Sequence, residues 1–156
     1  MGIPTIGIGL NLQRSDAPLL LERAGVTDVS GIYHGTVTLT EDQIDDLFDL
    51  SFAPILGDAA SSLQHFSAMS DARRFVVCDL VYNLGLAGWL GFSNTRALLD
   101  HATSLLKTDA SHAHLLYGLA ADHLMQSPWY GQVGDRAKRD VAMIRSSEWV
   151  EATGAG

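Results

Sequence analysis

Hydrophobic residues recur at helical spacing along most of the chain after position 40, and a helix-start signal precedes them. Thr40 can accept a hydrogen bond from the amide of Gln43, whose side chain can reach back to Thr40, as in a capping box. The apolar residues that follow are Ile44, Leu47, Phe48, Phe52 and Ile55. Their spacing of three or four places them on one helix face. The pattern predicts a helix that begins at Thr40 and stops near Gly57.

The next apolar segment has almost no polar face. Ser70 and Asp71 form a helix-start signal, and most of the residues at 75–84 are apolar. A helix that is apolar nearly all round is usually buried. We therefore expect this helix to form the centre of the domain.

Three more helical segments are predicted toward the C-terminus. Ser93 is the expected cap of the first, and Asp109 or Ser111 is the expected cap of the second. Pro128 and Gly134 then interrupt the pattern before a last helix. The apolar positions of that last helix are Ala137, Val141 and Ile144.

The first forty residues differ from the rest of the chain. Apolar and small residues alternate over 5–10, which is the period of a strand. Residues 13–38 are polar and irregular, and they predict a surface insertion beside a small sheet. The fold class predicted for the chain is α+β and mostly helical, as a single domain over 1–156. Residues 1–39 hold the sheet region with its insertion, and 40–156 form the helical part.

Composition narrows the functional classes. Ten Lys and Arg against 18 Asp and Glu among 156 residues give a formal charge of −8, which argues against nonspecific binding to nucleic acid or anionic membranes. The single cysteine, Cys78, excludes an internal disulfide and a multi-cysteine zinc site. His112 and His114 are two apart and would point to different sides of a helix. We therefore expect no metal site and no cofactor.

The chain also lacks the sequence signals of membrane insertion and export. No apolar run reaches the roughly 18 to 20 residues of a membrane span, and residues 1–9 have neither the basic start nor the apolar stretch of a signal peptide. We expect a protein made in the cytoplasm without membrane insertion.

Five sequence motifs follow one another along the chain and together cover nearly all of it. The motifs are Thr-Ile-Gly-Ile-Gly at 5–9, the capped helix from Thr40, the helix from Arg73-Arg74 to Tyr-Asn-Leu-Gly at 82–85, Gly-Phe-Ser-Asn-Thr at 91–95, and Ser-Pro-Trp-Tyr at 127–130 with Arg-Ala-Lys-Arg at 136–139. In this order and at these spacings they resemble the T-even phage-type lysozymes. The ending of the first motif, Gly-Leu-Asn-Leu at 9–12, is more similar to the phage and prophage endolysin branch.

The resemblance implies a lysozyme-like fold, with a small sheet lobe and a helical lobe around a long central helix. It also implies hydrolysis of the glycosidic bond between N-acetylmuramic acid and N-acetylglucosamine in peptidoglycan. Such an enzyme acts on the bacterial cell wall after release, or as part of the virion. The reaction needs a protonated carboxyl at the leaving oxygen and a second acid, or a positioned water, on the other face of the sugar.

The resemblance assigns a catalytic role to Thr5, which would help to position the water, although a threonine is also an ordinary strand residue. Asn11 follows the strand where the family binds saccharide, but an asparagine there also suits a turn. Tyr82 and Asn83 match an aromatic residue and an amide placed against the sugar. Because Asn-Leu-Gly is also a common way to end a helix, both interpretations stay open for these two residues.

Three further residues match positions near the substrate. Thr95 and His123 match saccharide-contacting positions, although His123 replaces the usual amide and could be an ordinary surface histidine. Arg136 matches the arginine that pairs with the catalytic glutamate. Trp129 and Tyr130 are expected to be core residues.

The catalytic glutamate itself has no match, since the helix that carries it in the family, and the following aspartate, would precede Met1. The other acids we weighed as substitutes are each better explained by a loop, a helix start or the C-terminal tail. They are Glu22, Asp28, Glu41, Asp42, Glu148 and Glu151.

Three explanations of the missing acid stay open. The chain could be N-terminally truncated, a partner segment could supply the missing helix, or the protein could be a noncatalytic module that binds glycan or protein. If the first helix is missing, 1–39 is the remnant of a sheet lobe, and the surface left uncovered could support self-association.

Overall fold

The computed structural model describes residues 5–6 and 10–151, and in these ranges the chain is mostly helical. It divides into two compact units, one within Met1–Ile55 and the other within Leu56–Gly156. The strands are β1 (Thr5–Ile6) and β2 (Leu10–Asn11). The helices are α1 (Ala17–Arg23), α2 (Val29–Tyr33), α3 (Glu41–Ser62), a 3-10 turn (Phe66–Ala68), α4 (Asp71–Leu90), α5 (Ser93–Leu105), α6 (Ala110–Met125), α7 (Pro128–Val133) and α8 (Asp135–Ser146).

The sheet of the first unit is very small. β1 pairs antiparallel with β2, with Thr5 opposite Asn11 and Ile6 opposite Leu10. Two residues per strand are far below the length of an ordinary strand. In the described part of the chain the expected sheet region is therefore reduced to this single ladder.

The prediction that 13–38 form a surface insertion is wrong. This segment folds into α1 and α2, and it supplies much of the hydrophobic core of the first unit. Leu21 and Ala17 have no exposed surface, and Ile32 is only 4% exposed. The segment looked like a loop because its two helices are short and its apolar residues are few. Burial of those few residues stabilises the helices, as is usual for short helices.

The capping box at the start of α3 is confirmed. The Thr40 amide donates to Gln43 Oε1 at 3.0 Å, and the Gln43 amide donates to Thr40 Oγ1 at 3.2 Å. The predicted end near Gly57 is wrong, because α3 continues to Ser62. A glycine inside a helix costs only about 1 kcal/mol. Ala59, two residues later, is fully buried and holds the helix in place beyond Gly57.

The prediction that α4 forms the buried centre is confirmed for the second unit. Ser70 caps the helix by accepting from the Arg73 amide, and residues 76–81 are all buried. The guanidinium of Arg73 lies 3.4 Å from the ring centroid of Tyr117 in α6. Arg73 Nε also donates to the carbonyl of Ile144 in α8 at 2.8 Å. One buried cation thus ties α4 to both neighbouring helices.

Three helix starts in the second unit can be compared with their predicted signals. α5 begins at Ser93, but its N-cap is Phe92 and no side chain caps it, so the prediction that Ser93 is the cap is wrong. Asp109 rather than Ser111 caps α6, by accepting from the His112 amide at 3.0 Å. α8 follows Gly134, whose φ of 71° favours glycine.

No single helix in the described ranges is long and apolar enough to cross a membrane. The bent pair α4 and α5, with a 109° bend, reaches that length and composition only when the two helices are taken together.

Candidate functional site

Three of the residues that the resemblance placed near substrate lie together in the second unit. Tyr82 and Asn83 are both exposed in α4, and Tyr82 keeps 53% of its surface accessible. Arg136, in the first turn of α8, places its Cζ 5.7 Å from the centroid of the Tyr82 ring. This distance is typical of a cation–π contact. The contact brings an aromatic ring, an amide and a cation to one surface.

A buried carboxylate, Asp79, holds the cation and the amide in place. Arg136 Nε donates to Asp79 Oδ2 at 2.8 Å, and Arg136 Nη2 donates to Oδ1, so that the guanidinium binds both carboxylate oxygens. Asn83 Nδ2 donates to Oδ2 at 3.2 Å and to the Asp79 carbonyl at 2.9 Å. The Asp79 side chain is only 6% exposed. Hydrogen bonding to Asp79 raises the pKa of Arg136, so this cation stays charged.

A second carboxyl, Asp140 of α8, lies against Asp79 and has no exposed surface. Neither of its oxygens accepts a hydrogen bond from an N–H or hydroxyl group of the described residues. Arg139 Nε is 3.9 Å from Asp140 Oδ1, within ion-pair range but too far for a hydrogen bond. Burial, and next the contact with Asp79, raise the pKa of Asp140 to about 8. Asp140 is therefore mostly protonated at neutral pH.

Sequence reasoning missed both carboxyls, although a signal for each was present. Asp79 lies four residues before Asn83 in a helix that is otherwise apolar at this point. Asp140 lies three residues after Ala137 and four before Ile144, on the apolar face of α8. A charged residue at a buried helical position needs a partner. The helical spacing could have identified each acid as a buried residue. It could not have shown that the two acids contact each other.

Charged side chains of α8 line a depression next to this cluster. The depression has a volume of about 440 Å³, and Lys138 on its edge pairs with Asp135 at 2.9 Å. The residues that line the depression are Asp135, Arg136, Lys138, Arg139, Ala142, Val150 and Glu151. Three cations and two acids line the depression, so it has a small excess of positive charge on a chain whose net charge is negative.

The other predicted site residues lie elsewhere. Thr5 belongs to β1, and its side chain is outside the described part of the structure. Asn11 Oδ1 accepts from the Gln13 amide at 2.8 Å, which is the turn role considered for it. Thr95 is 3% exposed, whereas His123 is exposed on α6. In the described ranges, no hydrogen bond, ion pair or ring contact joins Thr95 or His123 to Arg136.

The two aromatic residues expected to be in the core differ in burial. Trp129 is 3% exposed, which confirms its expected core position. Tyr130 is half-buried, so it is a core residue only in part.

Among the acids considered as substitutes for the missing glutamate, Glu151 is exposed and lines the same depression as Arg136. Asp28 caps α2 by accepting from the Gly31 amide at 2.8 Å, and Glu22 and Glu41 are exposed in the first unit. The acids that stabilise the charge of Arg136 are Asp79, by hydrogen bonding, and Asp140, by electrostatic attraction. In the described ranges, no group of three or more His, Cys, Asp or Glu side chains could hold a metal ion.

No model of a known protein family matches this chain.

Proposed function

We propose that the protein is a peptidoglycan hydrolase of the phage endolysin type, a muramidase, in which the surface formed by Tyr82, Asn83 and Arg136 binds the glycan strand. The observation that carries the proposal is the meeting of these three residues, since 53 positions separate Asn83 from Arg136 in the sequence. The resemblance assigns all three to the substrate-binding surface. Aromatic and amide groups around a fixed cation are well suited to bind the faces and hydroxyls of a sugar.

The exposed groups of this surface are polar donors with one aromatic ring, and their positions are fixed. Arg136 is held by both oxygens of Asp79, and the Asn83 amide is held by the same carboxyl. A ligand therefore meets a largely preformed surface and loses little binding energy to ordering side chains. The small excess of positive charge in the depression along α8 would attract the carboxylates of muramic acid and of its peptide stems.

A second candidate function, a noncatalytic module that binds glycan or protein, is supported by a different observation. The acids of the cluster, Asp79 and Asp140, are 6% and 0% exposed and are engaged with each other and with Arg136. Neither presents an oxygen to a sugar. A muramidase needs a proton donor that touches the glycosidic oxygen. The resemblance assigns that role to a glutamate that no residue of this sequence matches.

Two measurements on purified bacterial cell walls separate the candidates. The first is sedimentation of the protein with the walls, and the second is release of reducing sugar ends. Binding with release of reducing ends supports the muramidase, and binding without release supports the noncatalytic module. Absence of binding would contradict the muramidase and the glycan-binding form of the module, and would leave only a module that binds protein.

Tyr82→Ala tests the surface itself. Loss of an exposed anchor contact worth about 1 kcal/mol or more should weaken wall binding at least about fivefold. The matched control is Leu115→Ala. Leu115 is also a large exposed side chain, with 66% of its surface accessible, but it lies on a different helix, α6. Equal loss in both variants would show that the binding does not depend on the Tyr82 surface.

A further inference from the structure

The Asp79 carboxylate has four acceptor positions, and the structure accounts for three of them. Arg136 fills two, and the Asn83 amide fills a third. The carboxyl of Asp140 lies within hydrogen-bonding reach of the same group. Asp140 is fully buried, and neither of its oxygens has a donor in the described ranges. Two apposed carboxyls can satisfy each other only if one of them carries a proton.

We propose that Asp140 is a positioning residue, which keeps one proton in the contact with Asp79 and thereby fixes the Asp79 carboxylate against Arg136. The proton stays on Asp140, whose O–H donates to the fourth acceptor position of Asp79. This hydrogen bond sets the plane of the Asp79 carboxylate, and that plane sets where the guanidinium of Arg136 lies under Tyr82. The consequence for ligand binding rests on the proposed glycan function, whereas the proton itself does not.

The charged and titratable groups around Asp140 are accounted for on each neighbouring helix. From α4 come Asp79 and Cys78, and burial raises the pKa of the Cys78 thiol to about 11, so the thiol stays neutral. On α8 itself, Arg136 and Arg139 both favour ionised Asp140, but burial and Asp79 outweigh them. Tyr117 of α6 lies against Arg73, and Asp122 of α6 binds Arg145. Tyr130 of α7 lies near Lys138.

The chemistry predicts how two substitutions differ. Asp140→Asn keeps a donor for Asp79 without needing a proton, so it should hold Arg136 in place at every pH. Asp140→Ala removes the donor and frees the Asp79 carboxylate to rotate. The unsubstituted protein should follow the Asn variant while Asp140 is protonated, and lose the fixed geometry when Asp140 ionises. Asp122→Asn is the matched control. Asp122 of α6 pairs at the surface with Arg145, which lies on α8 as Asp140 does.

The first experiment needs no ligand. Carbon-detected NMR follows the Asp140 carboxyl from about pH 4 to about pH 9, and proton exchange is measured at Arg136 Nε–H in each variant. We expect Asp140 to titrate near pH 8, and we expect the protection of Arg136 Nε–H, measured relative to a free guanidinium at the same pH, to fall about tenfold above that point, as for loss of one charged hydrogen bond. In Asp140→Asn this protection should stay constant over the whole pH range. Asp140 titration near pH 4, or the same pH dependence in Asp140→Asn, would overturn the proposal.

The second experiment measures binding to purified cell walls at about pH 6 and about pH 9. The unsubstituted protein and Asp122→Asn should lose affinity at the higher pH, whereas Asp140→Asn should bind equally at both. If Asp140→Ala does not fold, the comparison of Asp140→Asn with the unsubstituted protein still decides the matter. The NMR result without wall binding in any variant would support the positioning role of Asp140 and refute the glycan function.

Discussion

Replacement of Asp140 by asparagine should stabilise the second unit at neutral and alkaline pH. The folded protein holds a proton on Asp140, because burial and the neighbouring Asp79 raise its pKa to about 8 from an ordinary 3.8. The unfolded chain releases that proton near its ordinary pKa. Asparagine is nearly isosteric with a protonated aspartate and can still donate to Asp79.

The size and sign of the effect follow from the two pKa values. Because the pKa is higher in the folded state, the stability contributed by Asp140 is fully present below pH 3.8 and is lost as the pH rises toward about 8. Each pH unit in that window removes about 1.36 kcal/mol of unfolding free energy, so the whole window amounts to on the order of 5 kcal/mol. Asparagine does not titrate and loses none of this.

Tryptophan fluorescence is a suitable assay, since all three tryptophans, Trp89, Trp129 and Trp149, belong to the second unit. The melting temperatures of Asp140→Asn and of the unsubstituted protein should coincide near pH 4. Near pH 8 Asp140→Asn should melt at least about 10 °C higher, at roughly 4 °C per kcal/mol for a unit of this size. Asp122→Asn should show no such pH-dependent gain. A difference between Asp140→Asn and the unsubstituted protein that stays constant from pH 4 to pH 8 would refute the reasoning.

Three further predictions concern the scaffold. Thr40→Ala removes the capping box of α3 and should cost about 1 kcal/mol, seen as faster amide exchange in the first turn; unchanged exchange would contradict the role of the cap. Gly85→Ala should cost about 1–3 kcal/mol, because φ 69° and ψ 163° suit only glycine, whereas Gly131→Ala in α7 should cost nothing; equal melting temperatures would argue against backbone strain. Cys78, buried and with a pKa raised to about 11, should resist alkylation at pH 8 until the second unit unfolds, and rapid labelling of the native protein would show that the thiol is accessible.

Local signals in the sequence predicted the helices wherever a cap and a long apolar pattern agreed. The capping box at Thr40 and the buried helix α4 are examples. Prediction failed where the local signal was weak or competed with packing. Residues 13–38 looked polar, yet Leu21 and Ile32 are buried in the first unit, and α3 passes through Gly57 because buried residues follow it.

The candidate site shows the same division. The resemblance selected Tyr82, Asn83 and Arg136, and two of these are neighbours in the chain. Asp79 and Asp140 were missed, because each is an ordinary helical aspartate until the partner helix is in place. A carboxyl that is unremarkable in the sequence becomes a proton-holding group only through burial against a second carboxyl.

The sequence alone determined the mostly helical class, the starts of α3, α4 and α8, and the negative net charge. These properties depend on contacts within a few residues or on composition, and such information is local. Only the tertiary structure decided that 13–38 contribute to a core and that Asp79, Arg136 and Asp140 share one cluster. Sequence separations of 57 and 61 residues join Asp79 to the other two. Whether a buried charge is paired, protonated or exposed depends on the packing of α4 against α8.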